Sequence, residues 1–175
     1  MNTRSASSPW WIATAVLLLA GAGTVQAAPL RVVCSTTDLA AIARAVGGAA
    51  VQVEAIAYGQ QDPHYVQAKP STMRLLNRAD LLIYNGLQLE IGWLPLLIEG
   101  ARNPRVSRAA GQIDASEAIA PLEIPIGNVN RSMGDVHPEG NPHYTLDPRN
   151  AVKVAALIAD RLSQLNPAHA EAFGA

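Results

Sequence analysis

The sequence has almost no cysteine and very little lysine, and each shortage narrows what the chain can be. Its one cysteine, Cys34, cannot close an internal disulfide, so the fold must stand on its own core. Cys34 ends the apolar run Leu30-Arg31-Val32-Val33-Cys34 and reads as a buried structural thiol, because apolar surroundings suppress ionisation and reactivity. Lys69 and Lys153 are the only lysines, the formal net charge is −1 and no basic block occurs, which leaves no electrostatic case for nucleic acid. There is no Gly-x-Ser-x-Gly elbow, no phosphate-binding Gly-x-x-x-x-Gly-Lys loop and no dinucleotide glycine fingerprint after the first apolar run. Nor is there a run long enough to span a bilayer. The stretch from Trp10 to Ala22 is about a dozen residues, against the roughly 20 a transmembrane helix needs.

That stretch has a different use. Arg4 precedes it and Val25-Gln26-Ala27 follows it, the three-part pattern of a bacterial export signal cleaved after Ala27. The pattern implies a periplasmic protein. No cysteine follows the apolar run directly, so lipid attachment at a processed cysteine is not expected and the mature chain should be soluble. Roughly 150 residues remain, enough for one domain with its own core.

In the mature chain short apolar runs alternate with amphipathic stretches. Leu30–Ser35, Val51–Ala57 and Leu81–Tyr84 read as buried strands, with a weaker fourth near Arg105–Ser107. Thr37 or Asp38 can cap a helix carrying Leu39, Ile42, Ala43 and Val46, which Gly47-Gly48 ends. Ser71 can cap a short helix carrying Met73, Leu75 and Leu76. Leu87–Gly100 reads as helical, kinked or interrupted by Pro95. Alternating strands and helices predict an α/β fold, a parallel four-stranded sheet with helices on both faces. Ligands of such sheets bind beyond the carboxyl ends of the strands, where the loop Gly59–Lys69 emerges.

From Glu123 to Asn141 prolines and glycines replace apolar periodicity, and a loop of that length inside a compact domain is usually functional or disordered. Asp147 and Pro148 then open a strong helix, as N-cap and first helical residue, with an apolar stripe of Val152, Ala155, Ala156, Ala159 and Leu162. Asn166-Pro167 interrupts it, and His169–Ala175 can restart a helix. Left uncovered, that stripe would be an association surface; covered, it leaves a monomer.

Three of the four histidines, His64, His137 and His143, lie in the two long loops. His64 stands in Asp62-Pro63-His64-Tyr65 and His143 in Asn141-Pro142-His143-Tyr144, so each follows a polar residue and a proline and precedes a tyrosine. Proline stiffens the approach, which reduces the entropy lost when an imidazole binds a metal. Against this, isolated loop histidines are mostly solvated surface residues, and no His-x-x-x-His pair on one helix is present. Asp135 and Glu139 flank His137 and could assist hydrolysis. His169 reads as surface, and Tyr84, Trp93 and Tyr144 as packing residues.

Four stretches carry a family resemblance. Val33-Cys34-Ser35-Thr36-Thr37-Asp38-Leu39 resembles the first strand and helix start of the zinc and manganese solute-binding proteins of ABC transporters. Asp62-Pro63-His64 with Lys69-Pro70-Ser71 resembles their first ligand loop. Ala79–Glu90 is similar to their third strand and turn, and Asn141–Pro148 to their second ligand segment, where aspartate commonly stands at the place of Asn141. The resemblance implies a periplasmic receptor, not an enzyme, that captures a divalent metal and delivers it to a membrane permease. It implies two α/β lobes joined by one long helix with the metal between them. His64 and His143 then correspond to the two ligands of the amino-terminal lobe, with His137 a possible third. The implied organisation is a signal over residues 1–27, an amino-terminal lobe over 28–127, a ligand-bearing loop over 128–147 and a truncated connecting helix over 148–175. Two imidazoles suit zinc better than the oxygen-rich sites of hard cations, with manganese the alternative. A zinc hydrolase using His64, His143 and a metal-bound water, and a non-functional receptor fragment, are the competing readings.

Overall fold

A computed structural model describes residues 28–127, 129–130, 133–134 and 136–174. The expected export signal and Asp135 lie outside the described residues. In chain order the elements are β1 (Leu30–Cys34), α1 (Thr37–Gly47), β2 (Val51–Ala55), α2 (Pro70–Asn77), β3 (Leu81–Tyr84), α3 (Leu94–Ala101), β4 (Gln112–Asp114), α4 (Pro148–Leu165) and α5 (Ala170–Phe173). No described helix is long and apolar enough to cross a membrane.

The four strands are parallel in the order β2-β1-β3-β4, as the alternation of elements predicts. Successive side chains of a strand face opposite ways, and both faces here are apolar. Val32, Cys34, Leu81, Ile83 and Ile113 turn toward Leu39 and Ala43 of α1, Val154, Ile158 and Leu162 of α4, and Phe173 of α5. Val33 and Leu82 turn the other way, onto Leu76 of α2 and Leu94 and Leu97 of α3. Right-handed crossovers account for this division. The connection from β1 to β2 steps one way along the sheet and uses α1. Those from β2 to β3 and from β3 to β4 step the other way, and put α2 and α3 on the opposite face.

The structure corrects several local expectations. The fourth strand is Gln112–Asp114, not Arg105–Ser107. Residues 103–107 instead turn around the buried Asn103, whose amide donates to the Leu76 and Ala79 carbonyls while its side-chain oxygen accepts from Arg105 N–H. Leu87–Gly100 is not one helix: α3 starts only at Leu94, and Pro95 lies in its first turn, where a missing N–H costs nothing. Thr36 rather than Thr37 or Asp38 caps α1, accepting from Leu39 N–H. Lys69 rather than Ser71 precedes α2, with Pro70 its first residue. On α4 the buried residues are Val154, Ile158 and Leu162; of the expected stripe Leu162 is buried, Ala155 and Ala159 are half-buried, and Val152 and Ala156 are exposed. The remaining caps agree. Gly48 follows α1 at a φ of 50°, and Asp147 caps α4 by accepting from Arg149 N–H.

Strand β1 connects to one side and β3 to the other, so the sheet reverses direction between them. Ser35 and Asn85 follow these two strands at their carboxyl ends. A crevice at such a switch point is where open α/β sheets take ligands.

Candidate functional site

The two Pro-His segments fold alike. Asp62 Oδ1 accepts the backbone N–H of His64 at 2.9 Å, and Asn141 Oδ1 accepts that of His143 at 2.9 Å. Each is an Asx turn, which needs a short side-chain oxygen two residues before the histidine. The proline between holds its torsion fixed. Asp62 also meets His64 Nδ1 at 2.7 Å, so this ring donates to the carboxylate and keeps its Nε2 lone pair outward. The two hydrogen bonds from His64 hold the Asp62 carboxyl below the usual carboxylate range. Asn141 uses its amide to donate to Glu123 Oε2 at 2.7 Å.

Both prolines are tied to one further segment. Trp93 Nε1–H donates to the Pro63 carbonyl at 2.8 Å, and Asn85 Nδ2–H donates to the Pro142 carbonyl at 2.8 Å. Tyr144, next to His143, donates its hydroxyl to the Asn85 carbonyl at 2.7 Å. Trp93 and Tyr144, read from sequence as packing residues, are buried and are also donors. Asn85 and Glu90 are buried polar side chains that the sequence did not single out. The only local signal was a glutamate within the otherwise uncharged stretch Leu81–Ile98.

Glu90 organises the turn after β3. Its carboxylate accepts Asn85 N–H at 2.7 Å and Gly86 N–H at 3.2 Å. Gly86, Leu87 and Gln88 have φ of 81°, 50° and 62°. For Leu87 and Gln88, which carry a Cβ, that left-handed geometry costs roughly 1–2 kcal/mol each. The buried carboxylate offsets this by satisfying two backbone donors at once. Burial pushes the Glu90 pKa up, against the hydrogen bonds it receives. The Ser35 hydroxyl, buried at the end of β1, favours the charged form of Glu90, although it makes no hydrogen bond of good geometry.

These supports bring the three loop histidines together. His64 Nε2 faces His137 Nε2 at 3.1 Å, and the ring centroids of His64 and His143 are 5.5 Å apart. The His64 side chain is only 13% exposed. Among the described residues no group of three or more His, Cys, Asp or Glu side chains stands where all could hold one metal ion. The cluster is therefore one facing pair of imidazole nitrogens with a third ring close by. Glu139 does not join it: its carboxylate accepts from Gln88 Nε2 at 3.0 Å. His169 is half-buried rather than surface, with Nδ1 at 3.2 Å from Asn166 Oδ1 and its ring beside Phe173. A surface depression of about 510 Å³ is lined by Arg31, Glu54, Arg74 and Arg78 among others and by none of the histidines. His143 borders a separate hollow of about 200 Å³.

The fold is a doubly wound α/β lobe that presents imidazoles on stiff loops beside its switch point. Residues 32–175 match the family model of ZnuA, the periplasmic zinc-uptake complex component A, and the chain belongs to this family. That is a family of periplasmic metal-binding receptors and not of enzymes, which sets the hydrolase reading aside. The chain is similar to the metal ABC transporter substrate-binding lipoprotein ScbA of Streptococcus cristatus, with 29% identity over 82% of this chain and 44% of that protein. It is also similar to the manganese ABC transporter substrate-binding lipoprotein PsaA of Streptococcus pneumoniae, with 28% identity over 91% of this chain and 51% of that protein. Among solved structures, the crystal structure of ZnuA matches with a TM-score of 0.67 and 25% identity, over 83% of this chain and 51% of that one. A zinc-bound deletion mutant of ZnuA matches with a TM-score of 0.68 and 26% identity, over 83% of this chain and 50% of that one. The chain thus spans about half the length of the curated relatives it matches.

Proposed function

We propose that this chain supplies the amino-terminal lobe of a periplasmic receptor that captures a divalent metal ion, zinc in preference to manganese, for import by an ABC-transporter permease. His64 and His143 are the ligands of this lobe and His137 a third. Residues 28–127 form the lobe proper, 128–147 the ligand-bearing loop, and 148–175 the start of the connecting helix.

The observation that carries the reading is the facing of His64 Nε2 and His137 Nε2 at 3.1 Å, on a loop whose other ring nitrogen is taken by Asp62. Two nitrogens at zinc-ligand distance in tetrahedral geometry stand about 3.3 Å apart. The pair is therefore near the spacing of one tetrahedral edge, and the His143 ring lies 5.5 Å from that of His64, centroid to centroid. Neutral imidazoles favour zinc, whereas manganese favours oxygen donors. The names of the relatives include both metals, so the preference rests on the donor set of this chain. The remaining coordination positions fall to water or to groups beyond the described residues.

Equilibrium dialysis of the metal-stripped chain against equimolar zinc and manganese tests the preference, with bound metal read by mass spectrometry. Zinc should be retained at one per chain and manganese largely excluded. Retention of manganese over zinc would overturn the choice of metal, and retention of neither would overturn the site.

A further inference from the structure

The supports of the two histidines converge on a segment of nine residues, Asn85 to Trp93. At its start, the Asn85 amide donates to the carbonyl of Pro142, the residue before His143. At its end, the Trp93 indole donates to the carbonyl of Pro63, the residue before His64. Glu90 joins the two ends. Its carboxylate accepts Asn85 and Gly86 N–H, while its main-chain carbonyl accepts Trp93 N–H at 3.1 Å and Leu94 N–H at 2.9 Å. One residue thus fixes both donors, with its side chain toward one and its backbone toward the other. Gly92 packs against His64 as well: a Cβ there would stand 3.8 Å from the His64 carbonyl oxygen.

We propose that Asn85 and Trp93, held at fixed separation by Glu90, are positioning residues that set the distance between His64 and His143. None of the three touches an imidazole through any hydrogen bond described above. They act through the prolyl carbonyls, whose stiff rings pass the constraint to the next residue. The left-handed backbone of Leu87 and Gln88 lies inside this segment, and strain persists only where the surroundings over-determine it. A segment serving merely to link β3 to α3 would need neither the strain nor the buried carboxylate. The inference rests on the histidines being the metal ligands, but its first test does not need metal.

The full chain and its Trp93→Phe, Asn85→Ser and Glu90→Gln variants are compared metal-free by nuclear Overhauser contacts between the His64 and His143 rings. Circular dichroism checks folding. The parent should show the inter-ring contact, and each folded variant should weaken or lose it. The same contact at parent strength in Trp93→Phe and Asn85→Ser would overturn the proposal, and these two suffice if Glu90→Gln does not fold. Zinc titration of the same proteins should then show affinity lower by about ten- to hundredfold, the usual cost of removing a residue that orients a ligand. Asn85→Ser combined with Glu90→Gln should cost less than the product of the two, since the Glu90 side chain acts through Asn85. If the parent binds no zinc yet the variants lose the ring contact, the metal reading falls and the positioning role stands. If the parent binds zinc and every variant binds it equally, the positioning role falls and the metal reading stands.

Discussion

The Asp62 carboxylate meets His64 twice, accepting its backbone N–H at 2.9 Å and its Nδ1–H at 2.7 Å. One side chain therefore sets both the turn and the tautomer, and turns Nε2 toward His137. Removing it should unfix the ring without unfolding the lobe, because Asp62 is exposed. Asp62→Ala should weaken zinc binding about ten- to hundredfold with little change in thermal midpoint. Unchanged affinity would mean that the carboxylate does not orient this ligand.

Glu90 makes stability depend on pH. Its folded pKa is raised by burial, so between the ordinary glutamate value of about 4.3 and that raised value the folded state keeps a proton the unfolded chain has released. The contribution is fully present below the unfolded value and is lost as pH rises through the folded one. Asp62 and Asp147 are shifted downward by their hydrogen-bond donors, so theirs is present above about pH 3.9 and lost as pH falls below it, outside that window. Urea unfolding of the metal-free chain from mildly acidic to neutral pH should show the Glu90 decline, and Glu90→Gln should flatten it even while lowering stability overall. An identical slope in both proteins would show that Glu90 does not titrate there.

Cys34 is fully buried in β1, and burial raises its pKa to about 12. A thiol so protonated and enclosed should resist a disulfide reagent in the native state and react at once in denaturant. Fast labelling of the folded chain would mean that the β1 face opens.

The stripe of α4 is an equally direct test of the fold. Val154, Ile158 and Leu162 have no exposed surface and pack with α1 and the sheet. Ile158→Ala should cost about 2–5 kcal/mol in unfolding free energy. Val152→Ala, at an exposed position of the same helix, should change it little. Equal effects at the two positions would contradict the packing of α4.

What the sequence made legible was what depends on local pattern. β3 is Leu81–Tyr84 as expected, because a continuous apolar run between Asp80 and Asn85-Gly86 admits little else. Asp147 and Pro148 open α4 as their chemistry demands. The two Pro-His segments were visible because the Asx turn and the proline act within three residues. β4 was misplaced because a three-residue strand carries almost no pattern, and Val106, buried in a turn, imitates one. The segment from Leu87 to Trp93 looked helical from its apolar spacing, yet Glu90 pulls Asn85 and Gly86 into a turn that propensity does not encode. The meeting of His64 with His137, 73 residues later, is a tertiary fact, and so is the reach of Trp93 to Pro63.

The central claim is that His64 and His143 belong to one metal site. Isothermal titration of zinc into the metal-stripped chain, with His64→Ala and His143→Ala alongside, tests it most directly. The parent should show one site per chain, and each substitution should abolish it or weaken it severely, since two imidazoles on one ion cannot be lost independently. A parent site that survives either substitution unchanged would contradict the account.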